Sequence, residues 1–331
     1  SNYKVNKVHT KPLYEHIINK NEYLKRFYET SLNFSNDISI KEKAMTSKKL
    51  DNNEQVKYKN IIRNMHFKEI LKNTHSGFEN NPTYLNILED LYNNNIIDYK
   101  LLTPSALYYI KENRIGSVFS SFYFRASILN PYLVYSLNHS ILKGKKIFTP
   151  TLGWSSYCYG FLECPYVEEY VGTDVINSVC KKTKTFATKH YPEKKVEIFN
   201  SPSENLSKNA SFIKKYTNHF DVVFFSPPYF KLELYSGKNQ STNMYKSYEE
   251  WLVKYWEATI QLCFKVLQSN GRLCYILSGY GKNLEYDLVT DMNTVTSKYF
   301  TLKKIIPMQN KNVHVTNHRT TGEQIIIFEK K

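Results

Sequence analysis

A chain of 331 residues with 41% hydrophobic and 23% charged residues has the composition of a soluble globular protein, with room for one large domain or a large and a small one. No apolar run reaches membrane-spanning length and no signal-peptide pattern is present, which excludes an integral membrane protein as the first expectation and makes an intracellular compartment the default. A net charge of +15 together with 28 tyrosines and 19 phenylalanines fits a polyanion with bases to stack on; a generic Lys-rich basic protein is the competing explanation.

The first hundred or so residues read as helical and peripheral. Apolar residues recur at helical spacing over Pro12–Phe34 and Glu54–Asn73, and further helices are expected over Pro82–Asn95 and Leu101–Asn113. Between the first two, Ser35–Asn53 is polar and charge-rich and is expected to be a loop or mobile linker. Residues 1–114 are thus expected to form an N-terminal helical region, and 115–331 a second domain.

From about Ile115 strands and helices alternate. Strands are expected over Lys145–Thr149, Glu169–Asp174, Lys195–Phe199, Asp221–Ser226, Gly271–Ser278, Thr301–Met308 and Glu323–Glu329. Helices are expected over Phe122–Leu142, Ile176–His190, Glu204–Tyr216, Tyr248–Gln268 and Leu284–Tyr299. Such alternation predicts an α/β, doubly wound, mostly parallel sheet. The last two strands have no long helix between them, so a hairpin should place one antiparallel strand in it.

Five cysteines form no C-x-x-C pair and no zinc-ligand spacing, so they read as reduced thiols in the core, and no metal is expected. Chemistry is concentrated instead at the carboxyl ends of the strands, where open α/β sheets bind ligands. The first strand runs into Thr149-Pro150-Thr151-Leu152-Gly153-Trp154, a glycine turn that lets backbone approach a ligand. The second ends in Asp174, whose carboxylate either accepts ribose hydroxyls or caps the next helix. The third ends at Asn200-Ser201-Pro202-Ser203-Glu204, where Ser203 is either a helix cap or a contact to an adenine edge.

The fourth strand stops at Ser226-Pro227-Pro228-Tyr229, followed by Phe230. Two prolines fix φ and remove two N–H donors, so the carbonyls of Ser226 and Pro227 are held rigid beside an aromatic ring. Rigid acceptors next to a stacking surface suit the exocyclic amino group of a planar base. The plainer reading is an ordinary strand-to-turn junction.

With the glycine turn, the acid after strand two and S-P-P-Y after strand four, the chain resembles the amino-group methyltransferases, which transfer a methyl from S-adenosylmethionine to adenine N6 or cytosine N4. It is most similar to the DNA methyltransferase-like proteins of phages and large viruses. The resemblance covers residues 115–331 and is carried mainly by Ser226-Pro-Pro-Tyr-Phe-Lys-Leu-Glu-Leu-Tyr-Ser236, Asn239-Gln240-Ser241 and Tyr245-Lys-Ser-Tyr-Glu-Glu-Trp-Leu252. Phe124, Ala126 and Pro131 match the family's F…A…P helix before strand one, and Arg319 with Glu323-Gln-Ile-Ile-Ile-Phe328 matches its basic residue and final strand.

The resemblance implies a Rossmann-like class I sheet of seven strands, the last antiparallel, with S-adenosyl-L-methionine as cofactor. It implies that Ser226, Pro227, Pro228 and Tyr229 act on the base, the Ser226 side chain and Pro227 carbonyl accepting the amino hydrogens. Thr149, Pro150, Gly153, Asp174, Ser203 and Phe124 would hold the cofactor. Tyr229, with Phe230 as a second candidate, would stack on the base, and Lys303, Lys304, Lys311 and Arg319, with His314 and His318 nearby, would contact phosphates. DNA is the expected partner ahead of RNA, with a homodimer or partner subunit possible, in the cytoplasm or nucleus of a host.

Two departures stand out. Thr149 replaces the family's acid, and Gly153-Trp154 is followed by Ser155-Ser156-Tyr157 in place of a second glycine and a basic residue. They keep a second expectation open, a catalytically inactive methyltransferase fold that binds nucleic acid or a partner.

Overall fold

The computed structural model describes residues 37–66, 127–230, 237–279, 286–309 and 320–331, with a few isolated positions besides. The helices expected over Pro12–Phe34, Pro82–Asn95 and Leu101–Asn113 lie outside the described residues, as do Phe124, Ala126, Lys311, His314, His318 and Arg319. The chain divides into two compact units, and residues 37–65 group with the sheet rather than with the segments on either side of them.

In chain order the described elements are α1 (Val56–Met65), α2 (Pro131–Leu137, widening into a π-turn at Asn138–Leu142), β1 (Lys146–Thr149), α3 (Ser156–Leu162), β2 (Glu169–Asp174) and α4 (Asn177–His190). Then follow β3 (Lys195–Asn200), α5 (Ser203–Leu206), α6 (Ala210–Tyr216), β4 (Phe220–Phe225), α7 (Ser241–Met244) and α8 (Tyr248–Trp251). A second π-turn, Leu252–Glu257, joins α8 to α9 (Ala258–Val266), and β5 (Leu267–Ser278), α10 (Leu288–Ser297), β6 (Phe300–Gln309) and β7 (Thr320–Lys330) complete the series.

The strands form one sheet in the order β3-β2-β1-β4-β5-β7-β6. β7 runs antiparallel to both β5 and β6, and the other pairings are parallel. All seven expected strands are present, and this order with one reversed strand is the Rossmann-like methyltransferase sheet. The central strands are apolar throughout because helices cover both faces. Val222, Val223, Phe224 and Phe225 of β4 and Leu273–Leu277 of β5 are buried. Each such side chain contributes roughly 1.5–3 kcal/mol of transfer free energy. Asp221 ties the amino edge together: its Oδ2 accepts the N–H groups of Lys145 (2.7 Å) and Lys146 (2.8 Å) at the start of β1.

Three local readings change. The helix expected from Phe122 has its described start at Pro131, because Asn130 caps it, its side chain accepting the Tyr132 N–H at 3.0 Å, and proline is tolerated in a first turn. The helix expected over Glu204–Tyr216 is two short helices, the second capped by Asn209. The segment expected to be a loop or mobile linker is a loop without regular structure over its described residues, and it is fastened down. Ile38, Met45, Leu50 and Asp51 are buried, Met45 N–H donates to Ser136 Oγ (3.0 Å), and Asp51 bridges Gln309 at the end of β6.

Candidate functional site

At the carboxyl edge of β1 the chain makes a tight left-handed turn. Gly153, Trp154 and Ser155 take φ of 51°, 58° and 70° in succession. Only the first suits that region without strain; each of the others costs on the order of 1 kcal/mol. The glycine is needed for a neighbour within the chain: a Cβ there would lie 2.2 Å from the ring of Tyr157. Tyr157 is buried, packs edge-on against Phe224 at 5.1 Å, and its hydroxyl accepts the Ser226 N–H at 3.1 Å. One side chain thus fastens the loop after β1 to the end of β4.

The expected cofactor residues are placed as follows. Thr149 is fully buried and its hydroxyl shares a 2.6 Å hydrogen bond with the Tyr170 hydroxyl. Pro150 is buried too. Ser155, where a second glycine was missed, places its hydroxyl 2.5 Å from that of Thr183 on α4. Ser203 is not a cap: its hydroxyl meets Thr259 Oγ1 at 3.0 Å across the sheet's covering helices.

Asp174 ends β2 half-buried. Its Oδ2 accepts the Leu152 N–H (3.2 Å) and its Oδ1 the Ile176 N–H (3.0 Å), an Asx-type turn ahead of α4 rather than a cap on it. Burial pushes its carboxyl above the usual range, against the pull of those N–H groups. Two N–H bonds leave lone pairs on both oxygens for further donors. Nearby, two hydroxyls that sequence reasoning missed are buried with no hydrogen-bond partner among the described residues: Thr151 in the loop and Tyr255 in the second π-turn. Tyr255 lies within electrostatic reach of Glu204, Tyr157 and Asp174. Its only sequence signal was a polar-tipped aromatic in an otherwise ordinary helix. Glu204 is buried, its carboxyl raised by that burial, and accepts the Tyr245 hydroxyl at 3.2 Å.

At the end of β4, Ser226 and Pro228 are part-exposed and Pro227 is buried. The Ser226 hydroxyl donates to the Ile276 carbonyl at 3.3 Å, which commits its proton inward and leaves its oxygen an acceptor. Among the described residues no group donates to the Pro227 or Pro228 carbonyl. Tyr229 is buried, its hydroxyl accepting the Ser278 N–H at 2.7 Å. Phe230, expected to stack on a base, is instead fully enclosed among Tyr248, Trp251 and Tyr286, with ring centroids 5.5–5.9 Å away. Its apolar ring gains more from that cluster than from a solvent-facing position. Of the expected basic contacts, Lys303 pairs with Glu329 at 2.8 Å and Lys304 is exposed on β6. All five cysteines are free and buried, and among the described residues no cluster of His, Cys, Asp and Glu could hold a metal. No helix of the described residues is long and apolar enough to cross a membrane.

No family model and no curated protein matches this chain. Among solved structures it is similar to TrmN from Thermus thermophilus, at 12% identity and a TM-score of 0.40 over 61% of this chain and 49% of that one, so it spans about half of TrmN's length. It is similar to a methyltransferase from Pyrococcus furiosus (19% identity, TM-score 0.38, 61% and 83% of the two chains). It is also similar to the N-methyltransferase NodS from Bradyrhizobium japonicum in complex with S-adenosyl-L-homocysteine (10% identity, TM-score 0.37, 60% and 83%).

Proposed function

We propose that this chain is an S-adenosylmethionine-dependent methyltransferase acting on an exocyclic amino group of a nucleic-acid base, DNA ahead of RNA. The observation that carries the reading is the end of β4. A serine hydroxyl with its proton committed to Ile276 and a proline carbonyl with no donor among the described residues stand side by side on a rigid turn. A ring amino group is a poor nucleophile because its lone pair is delocalised. Two fixed acceptors for its hydrogens would draw the nitrogen toward tetrahedral geometry and free that lone pair, so that catalysis is positioning and preorganised electrostatics. The Tyr229 ring, its hydroxyl tied to Ser278, would lie against the base, which in a duplex would first be flipped out at a cost of a few kcal/mol.

The residues after β1 and β2 fit a polar ligand. The hydroxyls of Thr151 and Tyr255 and the remaining lone pairs of Asp174 are donors and acceptors that no group among the described residues fills. Asp174 would take the ribose hydroxyls of S-adenosylmethionine, whose contribution is an electrophilic methyl on sulfur. The alternative, a binding protein with a decayed cofactor loop, is favoured by the engaged Thr149, Ser155 and Tyr157. The decisive experiment is mass spectrometry of nucleosides from DNA and RNA incubated with the protein and isotope-labelled cofactor. Label on adenine N6 or cytosine N4 is expected. Absence of label from both nucleic acids, with calorimetry detecting no cofactor binding, would leave the binding protein as the better account.

A further inference from the structure

Tyr255 lies in the second π-turn and is 3% exposed, and its hydroxyl has no hydrogen-bond partner among the described residues. Burial, then the charge of Glu204, raises that hydroxyl far above its usual range, so it keeps its proton and remains a donor. A buried donor without an acceptor is costly, and a phenylalanine would fill the same space without that cost. Retention of the hydroxyl points to an acceptor from outside the chain. Single π-turns of this kind are frequent at functional sites.

The neighbours of Tyr255 fix which way it faces. Thr259 follows it by one turn, and the Thr259 hydroxyl meets that of Ser203 at 3.0 Å. Side chains four apart share a helix face, which puts Tyr255 over the end of β3 beside Ser203. Glu204, the next residue, acts most strongly on its hydroxyl after burial itself; Cys263, Tyr157 and Asp174 act more weakly. Glu204 in turn accepts the hydroxyl of Tyr245, a part-exposed residue of the segment after the S-P-P-Y turn. The end of β3 is bound to that of β2. Asn200 pairs with Asp174, and the Ser201 N–H and the Asn200 side-chain amide donate to the Asp174 carbonyl at 3.1 and 2.9 Å.

Strand order then assigns the part of the ligand that reaches Tyr255. The sheet runs β3-β2-β1-β4, with Asp174 at the end of β2 and the S-P-P-Y turn at the end of β4. A methyl donor whose ribose meets Asp174 and whose methyl faces the S-P-P-Y turn points its purine the other way, toward the end of β3. Purine ring nitrogens carry in-plane lone pairs, the acceptors that Tyr255 lacks.

We propose that the Tyr255 hydroxyl donates to a ring nitrogen of the purine of S-adenosylmethionine, so that the π-turn supplies a residue of the cofactor site. The inference rests on the methyltransferase reading above, with Asp174 on the ribose.

The test is calorimetry on the full chain with S-adenosylhomocysteine and its 1-, 3- and 7-deaza analogues, in which one ring nitrogen at a time is replaced by C–H. One analogue should bind the wild type about tenfold more weakly than the parent compound. In Tyr255→Phe the parent should fall to that level, and the same analogue should lose nothing further. Without ligand, Tyr255→Phe should melt no lower than wild type, because only an unfilled donor is removed. Unchanged affinity in Tyr255→Phe, or a wild type indifferent to all three replacements, overturns the proposal. So does a weakened Tyr255→Phe protein in which every analogue keeps its full penalty, since the hydroxyl would then serve another part of the donor. A wild type that does not bind S-adenosylhomocysteine overturns the methyltransferase reading and this inference together. The expected binding pattern without methyl transfer to any base removes the nucleic-acid reading and leaves Tyr255 in the cofactor site.

Discussion

Two loops at the same edge of one sheet handle their polar groups in opposite ways. After β1, the hydroxyls of Thr149 and Ser155 are engaged by Tyr170 and Thr183 and the Tyr157 ring fills the space at Gly153, while Thr151 keeps a buried hydroxyl with no partner among the described residues. After β4, two prolines and an inward-donating serine leave acceptors that nothing among the described residues fills. A loop whose hydroxyls are engaged adds to the fold's stability, whereas one with free acceptors keeps them for a group from outside the chain. The difference teaches that neighbouring loops at one sheet edge can commit their polar groups independently. Tyr157 joins them, since its ring fills the space at Gly153 and its hydroxyl takes the Ser226 N–H.

The harshest way to break this contrast is Gly153→Ala. A methyl group 2.2 Å from the Tyr157 ring, in a left-handed residue, should cost about 3 kcal/mol, combining overpacking and backbone strain. Denaturant titration would show it, and in a Tyr157→Ala background most of the loss should vanish. An equal loss in both backgrounds would mean that Tyr157 is not what excludes the side chain. Next, Ser226→Ala should lower methyl transfer on the order of 10²-fold, as for removal of one preorganised polar contact, with cofactor affinity unchanged. Unchanged turnover would remove the serine from the pocket.

Tyr157→Phe is subtler. It leaves the ring in place and strips the acceptor from the Ser226 N–H, at a cost of about 1–3 kcal/mol if that group stays buried. A loss in turnover larger than the loss in stability would show that the link positions Ser226. The smallest effect is one of pH. The carboxyl of Asp174 is raised above its ordinary 3.8, so its contribution to stability is full below that value and fades as pH rises through the folded value. Ribose hydroxyls donating to the carboxylate favour its charged form, so cofactor binding should tighten over the same rise in pH. In Asp174→Asn the profile should be flat, and a flat wild-type profile would separate Asp174 from the cofactor.

Much of the architecture was legible because hydrophobic runs have one interpretation in a covered sheet. Val222–Phe225 could only be a central strand, and two strands without a helix between them had to produce a reversal. The site was less legible. A glycine after a strand signals freedom from a Cβ, and sequence cannot say whether a ligand or, as here, Tyr157 occupies the vacated space. Phe230 followed the motif yet went into an aromatic cluster, because Tyr248, Trp251 and Tyr286 meet it only after folding. Ser35–Asn53 read as a linker on polarity, but four buried residues and a bridge to Gln309 hold it.

The π-turn at Leu252–Glu257 has a consequence for how this chain tolerates change in length. A π-turn holds about one residue more than an α-helical turn, so it behaves as a single-residue insertion absorbed within a helix. Deleting one residue there would restore uniform winding and rotate what precedes it by roughly 100° relative to α9. Either Trp251 and Tyr248 would leave the cluster around Phe230, or Tyr255 and Trp256 would leave the sheet. Length variation in this helix is therefore confined to that one turn, where a gain or loss of a residue exchanges one aromatic register for another.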